Sequence, residues 1–140
     1  MRVFLDANIL FSAAWRDNAS AALLWTLAES GYCQLTTSRL ASEEARRNLA
    51  RKRPERGVIL EDLLTRMPLG VEPSTEHLAV AEAHGLPAKD IPILAAALTQ
   101  KADILVTGDR GDFGQLYRQT IIDLTVLPLA DTIERLLGAN

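Results

Sequence analysis

The fold follows from the N-terminal segment at residues 2–12, which reads RVFLDANILFS. Three apolar residues precede Asp6 and predict a buried β-strand, while the apolar residues after it predict a helix that begins near Asn8. Such a strand delivers Asp6 to the carboxyl edge of a sheet, where open α/β folds keep their binding sites. The alternative is that Asp6 only caps the following helix.

The rest of the chain alternates between strand-like and helix-like segments. Further strands are predicted at residues 32–37, 102–107 and 121–127, with a short one near Leu69 and Val71. Helices are predicted at residues 21–28, 38–49, 60–67, 74–84, 90–98 and 131–137. This alternation implies right-handed βαβ crossovers and a mainly parallel sheet. We expect the first strand to be central, beside the strand at residues 102–107.

The composition is that of one ordinary globular domain, expected to span residues 1–140. Apolar residues make up 48% of the chain, charged residues 24%, and the net charge is −3. This balance argues against indiscriminate nucleic-acid binding, although it allows a local basic patch. The sole cysteine, Cys33, rules out an internal disulfide and is expected to be a packing residue. Without a run of about 20 apolar residues or an export signal, the chain is expected to be cytoplasmic and to have no membrane partner.

A pair of adjacent acids, Glu43 and Glu44, falls in the predicted helix at residues 38–49. Neighbouring helical residues point about 100° apart, so only one of the two easily faces a common site. We choose Glu44 because it shares a helix face with Leu40 and Ala41. The alternative is that both glutamates are solvated and offset the helix dipole.

Three more acids occur near the ends of apolar segments. Asp90 begins an almost wholly apolar helix with Pro92 in its first turn, where proline is tolerated. Capping alone can explain Asp90, but so apolar a helix is expected to lie deep against the sheet, which places Asp90 at an inner helix end. Asp109 and Asp112 follow a buried strand in a glycine-rich turn and repeat the arrangement at Asp6. The alternative is an ordinary polar turn.

The predicted topology brings these acids to one crevice at the carboxyl edge of the sheet. Four or five carboxylates in a low-dielectric cleft repel one another, and some protonate unless a cation neutralises them. Because the donors are oxygens only, Mg²⁺ or Mn²⁺ is favoured. Such an ion orients and activates a water and stabilises charge on a phosphodiester. The sequence therefore predicts a metal-dependent phosphoryl-transfer or phosphate-ester enzyme.

A basic run at residues 46–56 holds six of the 15 lysines and arginines. These are Arg46, Arg47, Arg51, Lys52, Arg53 and Arg56. Such a run is either a solvated face or a patch that contacts phosphates. Both interpretations stay open on the residues alone.

Four segments in order resemble the motifs of the PIN-domain nucleases, which include the VapC toxins of toxin–antitoxin systems. They are residues 3–10 (VFLDANIL), 38–49 with Glu44, 90–97 (DIPILAAA) and 105–113 (LVTGDRGDF). The resemblance implies an α/β fold, a PIN-like three-layer α/β/α arrangement with a central, mainly parallel sheet.

The resemblance also implies a Mg²⁺- or Mn²⁺-dependent endoribonuclease that hydrolyses RNA phosphodiester bonds. The metal ligands would be Asp6, Glu44, Asp90 and Asp109, with Asp112 as an additional acid, and Asn8 and Thr107 orienting the water or ligands. A cognate antitoxin and a homodimer or higher homo-oligomer are implied as well. In such an enzyme we expect Arg46, Arg47 and Arg51 to contact the RNA.

Two other functions remain open on the sequence. A haloacid-dehalogenase-like phosphatase is suggested by the residues around Asp6 and by the segment that ends at Asp109. That class normally has an acid where Asn8 stands and a lysine before the later acids. A non-catalytic PIN-like binding module is the third possibility.

Overall fold

The computed structural model describes residues 1–108, 111 and 113–138, and its centre is a five-stranded sheet. The strands are β1 (Arg2–Leu5), β2 (Gln34–Thr36), β3 (Ile104–Val106), β4 (Thr120–Ile121) and β5 (Leu124–Leu127), in the order β2-β1-β3-β5-β4. All neighbouring pairs are parallel except β4 and β5. As predicted, β1 pairs with β3; its other neighbour is the edge strand β2, so β1 is an inner strand, and the middle strand of the five is β3.

Seven α-helices flank the sheet in the part of the chain that the structure describes. They are α1 (Ala7–Trp15), α2 (Leu23–Glu29), α3 (Arg39–Lys52), α4 (Gly57–Thr65), α5 (Thr75–Glu82), α6 (Ile91–Thr99) and α7 (Leu129–Gly138). Short 3₁₀ turns lie at Ser20–Ala22, Pro54–Arg56 and Gly114–Leu116. The predicted three-layer α/β/α fold with a mainly parallel sheet is confirmed.

Local signals in the sequence explain where several helices begin and end. The hydroxyl of Ser38 accepts a hydrogen bond from the Ala41 amide, and that of Ser74 accepts one from the His77 amide, so both serines cap helices. Gly31 follows α2 with a φ of 87°. This left-handed backbone favours glycine and ends the helix.

The predicted strand at residues 121–127 is in fact two short antiparallel strands, β4 and β5. The turn between them contains Ile122 at a φ of 59°, a conformation that β-branched residues rarely adopt. The sequence signal for a continuous strand was therefore misleading here.

The short strand predicted near Leu69 and Val71 was also wrong. Leu69 forms a single parallel bridge with Thr37, and the Gly70 amide donates to the Thr37 carbonyl. Pro68, which has no amide hydrogen, precedes this bridge and limits the pairing.

Gln100 directly follows α6, and its side chain forms hydrogen bonds at the carboxyl end of β2. Its side-chain amide donates to the Thr37 carbonyl at 3.1 Å, and its side-chain oxygen accepts from the Thr36 hydroxyl at 2.6 Å. Gln100 is buried, and a methyl group on Gly70 would lie 1.9 Å from its Cδ atom. Only glycine therefore fits at residue 70 while Gln100 keeps its hydrogen bonds.

The first prediction compares Gly70→Ala with Gly57→Ala. We expect Gly70→Ala to lower the free energy of unfolding by about 2 kcal/mol, because the buried Gln100 cannot move aside without losing its hydrogen bonds. Gly57 has helical backbone angles and open space around its Cα, so Gly57→Ala is expected to be neutral or to stabilise by about 0.5 kcal/mol. Urea denaturation measures both, and equal stability of the two variants would contradict the prediction.

Candidate active site

Asp6 ends β1 and lies at the carboxyl edge of the sheet. Its Oδ1 atom accepts a hydrogen bond from the Ala7 amide at 2.7 Å, and its Oδ2 atom accepts one from the Thr107 hydroxyl at 2.7 Å. The residue is only 4% exposed. Asp6 is therefore both the cap of α1 and a carboxylate held at the sheet edge, so the two interpretations of this residue are compatible.

Asn8 and Thr107 surround Asp6 and join the ends of β1 and β3. The Asn8 side-chain oxygen accepts from the Gly108 amide at 2.8 Å. The Asn8 amide nitrogen lies 3.3 Å from the Thr107 hydroxyl and 3.4 Å from Asp6 Oδ2. Both side chains thus orient Asp6, while their predicted contact with a water or ligand stays a prediction.

Asp90 stands at the start of α6, as predicted, and is only 7% exposed. Its backbone has helical angles, with φ −96° and ψ −15°, and its side chain makes no capping hydrogen bond to α6. All residues of α6 are described, so capping does not explain why an aspartate is buried here. The sequence alternative of a simple cap was wrong for this residue.

Glu44 on α3 lies across a cavity from Asp6 and Asp90. This cavity has a volume of about 280 Å³. Its lining consists of Asp6, Ala7, Asn8, Phe11, Glu44, Asn48, Lys52, Lys89 and Asp90. Glu43 lines a different cavity of about 110 Å³, which it shares with Glu72 and Pro92. The structure therefore brings together Asp6, Glu44 and Asp90 and directs Glu43 elsewhere.

The donor chemistry of this cavity suits a hard divalent cation. Its three carboxylates are the ligand type that Mg²⁺ and Mn²⁺ prefer. Among residues 1–108, 111 and 113–138, however, no three acidic, histidine or cysteine side chains lie so that they could hold a metal ion by themselves. The predicted acids Asp109 and Asp112 lie outside the described residues.

Most basic side chains of the run at residues 46–56 form hydrogen bonds or ion pairs with other side chains of the protein. Arg46 makes two hydrogen bonds to Glu61 on α4, which raise the pKa of Arg46 and lower that of Glu61. Arg53 pairs with Glu55 and Arg56 with Asp17. These arginines tie neighbouring elements together, and the predicted contact of Arg46 with RNA stays a prediction.

The two other predicted arginines, Arg47 and Arg51, are exposed on α3. Arg51 donates to the Asn48 side chain at 2.9 Å, and Arg47 makes no hydrogen bond or ion pair to any described residue. They do not line the cavity that holds Asp6 and Glu44. Their contact with RNA therefore stays a prediction.

Sequence reasoning missed two lysines that line the acidic cavity, Lys52 and Lys89. Lys52 follows Glu44 by eight residues and Asn48 by four, so the three side chains share one stripe of α3. That spacing was visible in the sequence but was obscured by the five arginines around Lys52. Lys89 gave no such signal, because only the fold shows that it stands beside the cavity.

A larger cavity, of about 800 Å³, lies along β2 and the amino end of β1, and neither Asp6, Glu44 nor Asp90 lines it. Cys33 lines it and is largely buried, and this burial raises the pKa of its thiol. A thiol that resists ionisation is a poor nucleophile, which agrees with the packing role expected for Cys33. In the described part of the chain, no helix is long and apolar enough to cross a membrane.

Comparison with solved structures finds the same fold in several proteins. One is VapBC2 from Rickettsia felis bound to a promoter DNA fragment, with a TM-score of 0.66 and 19% identity over 91% of this chain and 98% of the other. Another is VapBC-1 from nontypeable Haemophilus influenzae, with a TM-score of 0.61 and 17% identity over 93% and 99%. FitAcB from Neisseria gonorrhoeae has a TM-score of 0.55 and 21% identity over 91% and 98%.

No curated protein matches the sequence significantly. Residues 2–111, however, match the sequence profile described as "PIN domain". This segment includes β1, β2 and β3 and the three acids of the cavity. The chain belongs to the PIN domain family.

Proposed function

We propose that this protein is a Mg²⁺- or Mn²⁺-dependent endoribonuclease of the VapC toxin type. The observation that supports this most is the cavity at the carboxyl edge of the sheet, where Asp6, Glu44 and Asp90 arrive from three different elements. Membership in the PIN domain family, whose members include nucleases, and the shared fold with VapBC proteins support the same function.

In this proposal Asp6, Glu44 and Asp90 hold the metal together with Asp109, and Asp112 is an additional acid. When bound, the metal would supply the positive charge that activates a water and stabilises charge on the phosphodiester. The protein's own contribution is orientation. Two strong hydrogen bonds, from the Ala7 amide and the Thr107 hydroxyl, aim the Asp6 carboxylate before any ligand arrives.

The second prediction separates Glu44 from its neighbour Glu43. We expect Asp6→Asn and Glu44→Gln to reduce metal-dependent cleavage of labelled RNA by on the order of 100-fold or more, because each removes a charged ligand. Glu43→Gln, which changes a glutamate in a different cavity, is the matched control and is expected to keep near wild-type activity.

The measurement is cleavage of single-stranded and structured RNAs in Mg²⁺, in Mn²⁺ and in EDTA. Equal loss in the Glu43 and Glu44 variants would contradict the assignment of Glu44. Metal binding without cleavage of any RNA would favour a non-catalytic module, and a phosphoryl group on Asp6 detected by mass spectrometry would favour the phosphatase alternative.

The third prediction concerns Thr107, a positioning residue for Asp6. Thr107→Val keeps the side-chain shape but removes the hydroxyl that donates to Asp6, so we expect a 10- to 100-fold weaker affinity for Mn²⁺ and a similar loss of cleavage. Thr107→Ser is expected to restore both. The matched control is Thr132→Val, because Thr132 is equally buried but donates to the Pro128 carbonyl.

Calorimetric titration with Mn²⁺ measures the affinity directly, and urea denaturation checks that each variant is folded. If Thr107→Val bound Mn²⁺ as tightly as the wild type, the positioning role would be excluded.

We also propose that a small antitoxin protein controls this nuclease, that the chain forms a homodimer, and that it acts in the cytoplasm. Support for the antitoxin comes from the similar structures VapBC2, VapBC-1 and FitAcB; the homodimer and the cytoplasmic location rest on the resemblance to the VapC toxins. An antitoxin that places a basic side chain among the three carboxylates would block the cavity by direct charge pairing.

The fourth prediction tests this control in cells. Expression of the wild-type chain is expected to arrest growth, and expression of Asp6→Asn at the same level is not. A small protein encoded nearby is expected to co-purify with the chain and to relieve the arrest. If cleavage were confirmed but no such partner were found, the toxin assignment would fail and the nuclease assignment would survive.

A further inference from the structure

Phe11 on α1 lies at the boundary between the acidic cavity and a second cavity. The second cavity has a volume of about 320 Å³ and runs along α1 past Ser12 and Trp15 to Leu129. Phe11 contributes to the lining of both. The two cavities therefore meet at this aromatic ring, one turn of helix beyond Asn8.

The ring of Phe11 is part of an aromatic pair on the outer side of α1. The centroids of Phe11 and Trp15 are 5.2 Å apart, with the rings tilted by 33°. Arg53 holds Trp15 in place: its guanidinium carbon lies 4.9 Å from the centroid of the Trp15 ring, and its guanidinium donates to the Trp15 backbone carbonyl at 2.6 Å. Phe11 is thus a half-buried, well-supported ring that still faces a cavity.

Lys52 lies with its ammonium group over the ring of Phe11. Its ammonium group lies 5.7 Å from the Phe11 ring centroid, and it forms no ion pair with any described residue. Arg46, Arg53 and Arg56 of the same basic run are each paired with an acid. Lys52 is therefore a basic side chain that both lines the acidic cavity and keeps its charge available.

We propose that Phe11 and Lys52 form a nucleotide subsite beside the acids, in which the Phe11 ring stacks on an unpaired base and Lys52 contacts a phosphate of the same strand. This inference rests on the proposed ribonuclease function and names the residues that would seat its substrate. Stacked aromatic rings next to basic side chains are how many proteins bind single strands, because every base offers a flat face.

The position of Lys52 over Phe11 is compatible with this role. A cation–π contact at an exposed site is weaker than base–aromatic stacking. A base can therefore replace the ammonium group on the ring, and the flexible lysine side chain can swing to the phosphate. The lysine also offsets the repulsion between a polyanionic strand and a cavity lined by three carboxylates.

The test is the affinity of the intact protein for a short, fluorescently labelled single-stranded RNA, measured by anisotropy in EDTA so that metal-dependent cleavage is absent. Phe11→Leu, which keeps the apolar volume but removes the ring, is expected to weaken binding roughly tenfold. Phe11→Tyr is expected to restore it. Affinity for a fully paired RNA duplex is expected to be the same in wild type and Phe11→Leu, because paired bases are not free to stack on the ring.

Lys52 is tested through salt dependence. Lys52→Gln is expected to weaken binding and to reduce the slope of log affinity against log salt by about 0.7, the value for one phosphate contact on a single strand. Lys52→Arg is expected to keep the wild-type slope. Because Lys52 is exposed, its substitution leaves the core untouched and remains informative even if Phe11→Leu fails to fold.

The matched controls are Tyr32→Leu and Lys101→Gln, an exposed aromatic residue and an exposed lysine that lie away from both cavities. Both are expected to bind as the wild type does. If Phe11→Leu and Lys52→Gln matched these controls while the wild-type protein bound and cut RNA, the subsite would be excluded and the nuclease would stand. If the wild-type protein neither bound nor cut RNA, both proposals would fail.

Discussion

The hydrogen bond from the Thr107 hydroxyl to the Asp6 carboxylate is the contact on which the candidate site depends. Asp6 is almost fully buried at the end of the inner strand β1, and an ionised carboxylate in such a place is costly unless polar groups satisfy it. Thr107 is itself held by the rest of the fold. Its amide donates to the Leu127 carbonyl on β5, and its carbonyl accepts from the Tyr117 hydroxyl. The orientation of a residue near the N-terminus is thus set by contacts more than a hundred positions along the chain.

One face of helix α3 presents a carboxylate, an amide and an ammonium group to the cavity, although the chain as a whole has a net charge of −3. Glu44, Asn48 and Lys52 repeat every four residues and face the cavity, whereas Arg46 lies on another side and pairs with Glu61 on α4. One helix therefore supplies a carboxylate and a cation to the cavity and uses its remaining charge to pack against its neighbour. The net charge of the whole chain says little about binding here, because what a ligand meets is the arrangement on this one stripe.

Much of the fold was predictable, because local signals and long-range topology agreed. The apolar run before Asp6 and the regular alternation of strands and helices led to the pairing of β1 with β3 and to the mainly parallel sheet. The errors came where tertiary contacts overrode local preference. Ile122 adopts a left-handed turn that its β-branched side chain disfavours, and the segment at Leu69, which follows Pro68, forms a single bridge to Thr37. The gathering of Glu44 and Asp90 beside Asp6 followed from topology, but the identity of the available cation, Lys52, required knowing which arginines had partners.

The three acids of the cavity differ in how far helix stability alone explains their positions. Asp6 caps α1, so helix stability alone could account for an aspartate at this position. Asp90 makes no capping hydrogen bond and stands at the start of an apolar helix, where a serine or asparagine would cap better and cost less to bury. Glu44 lies in the interior of α3, beyond the first turn in which acids stabilise a helix. Neither side chain makes a capping hydrogen bond to its own helix, and the position of both around one cavity with Asp6 supports the metal site that we propose.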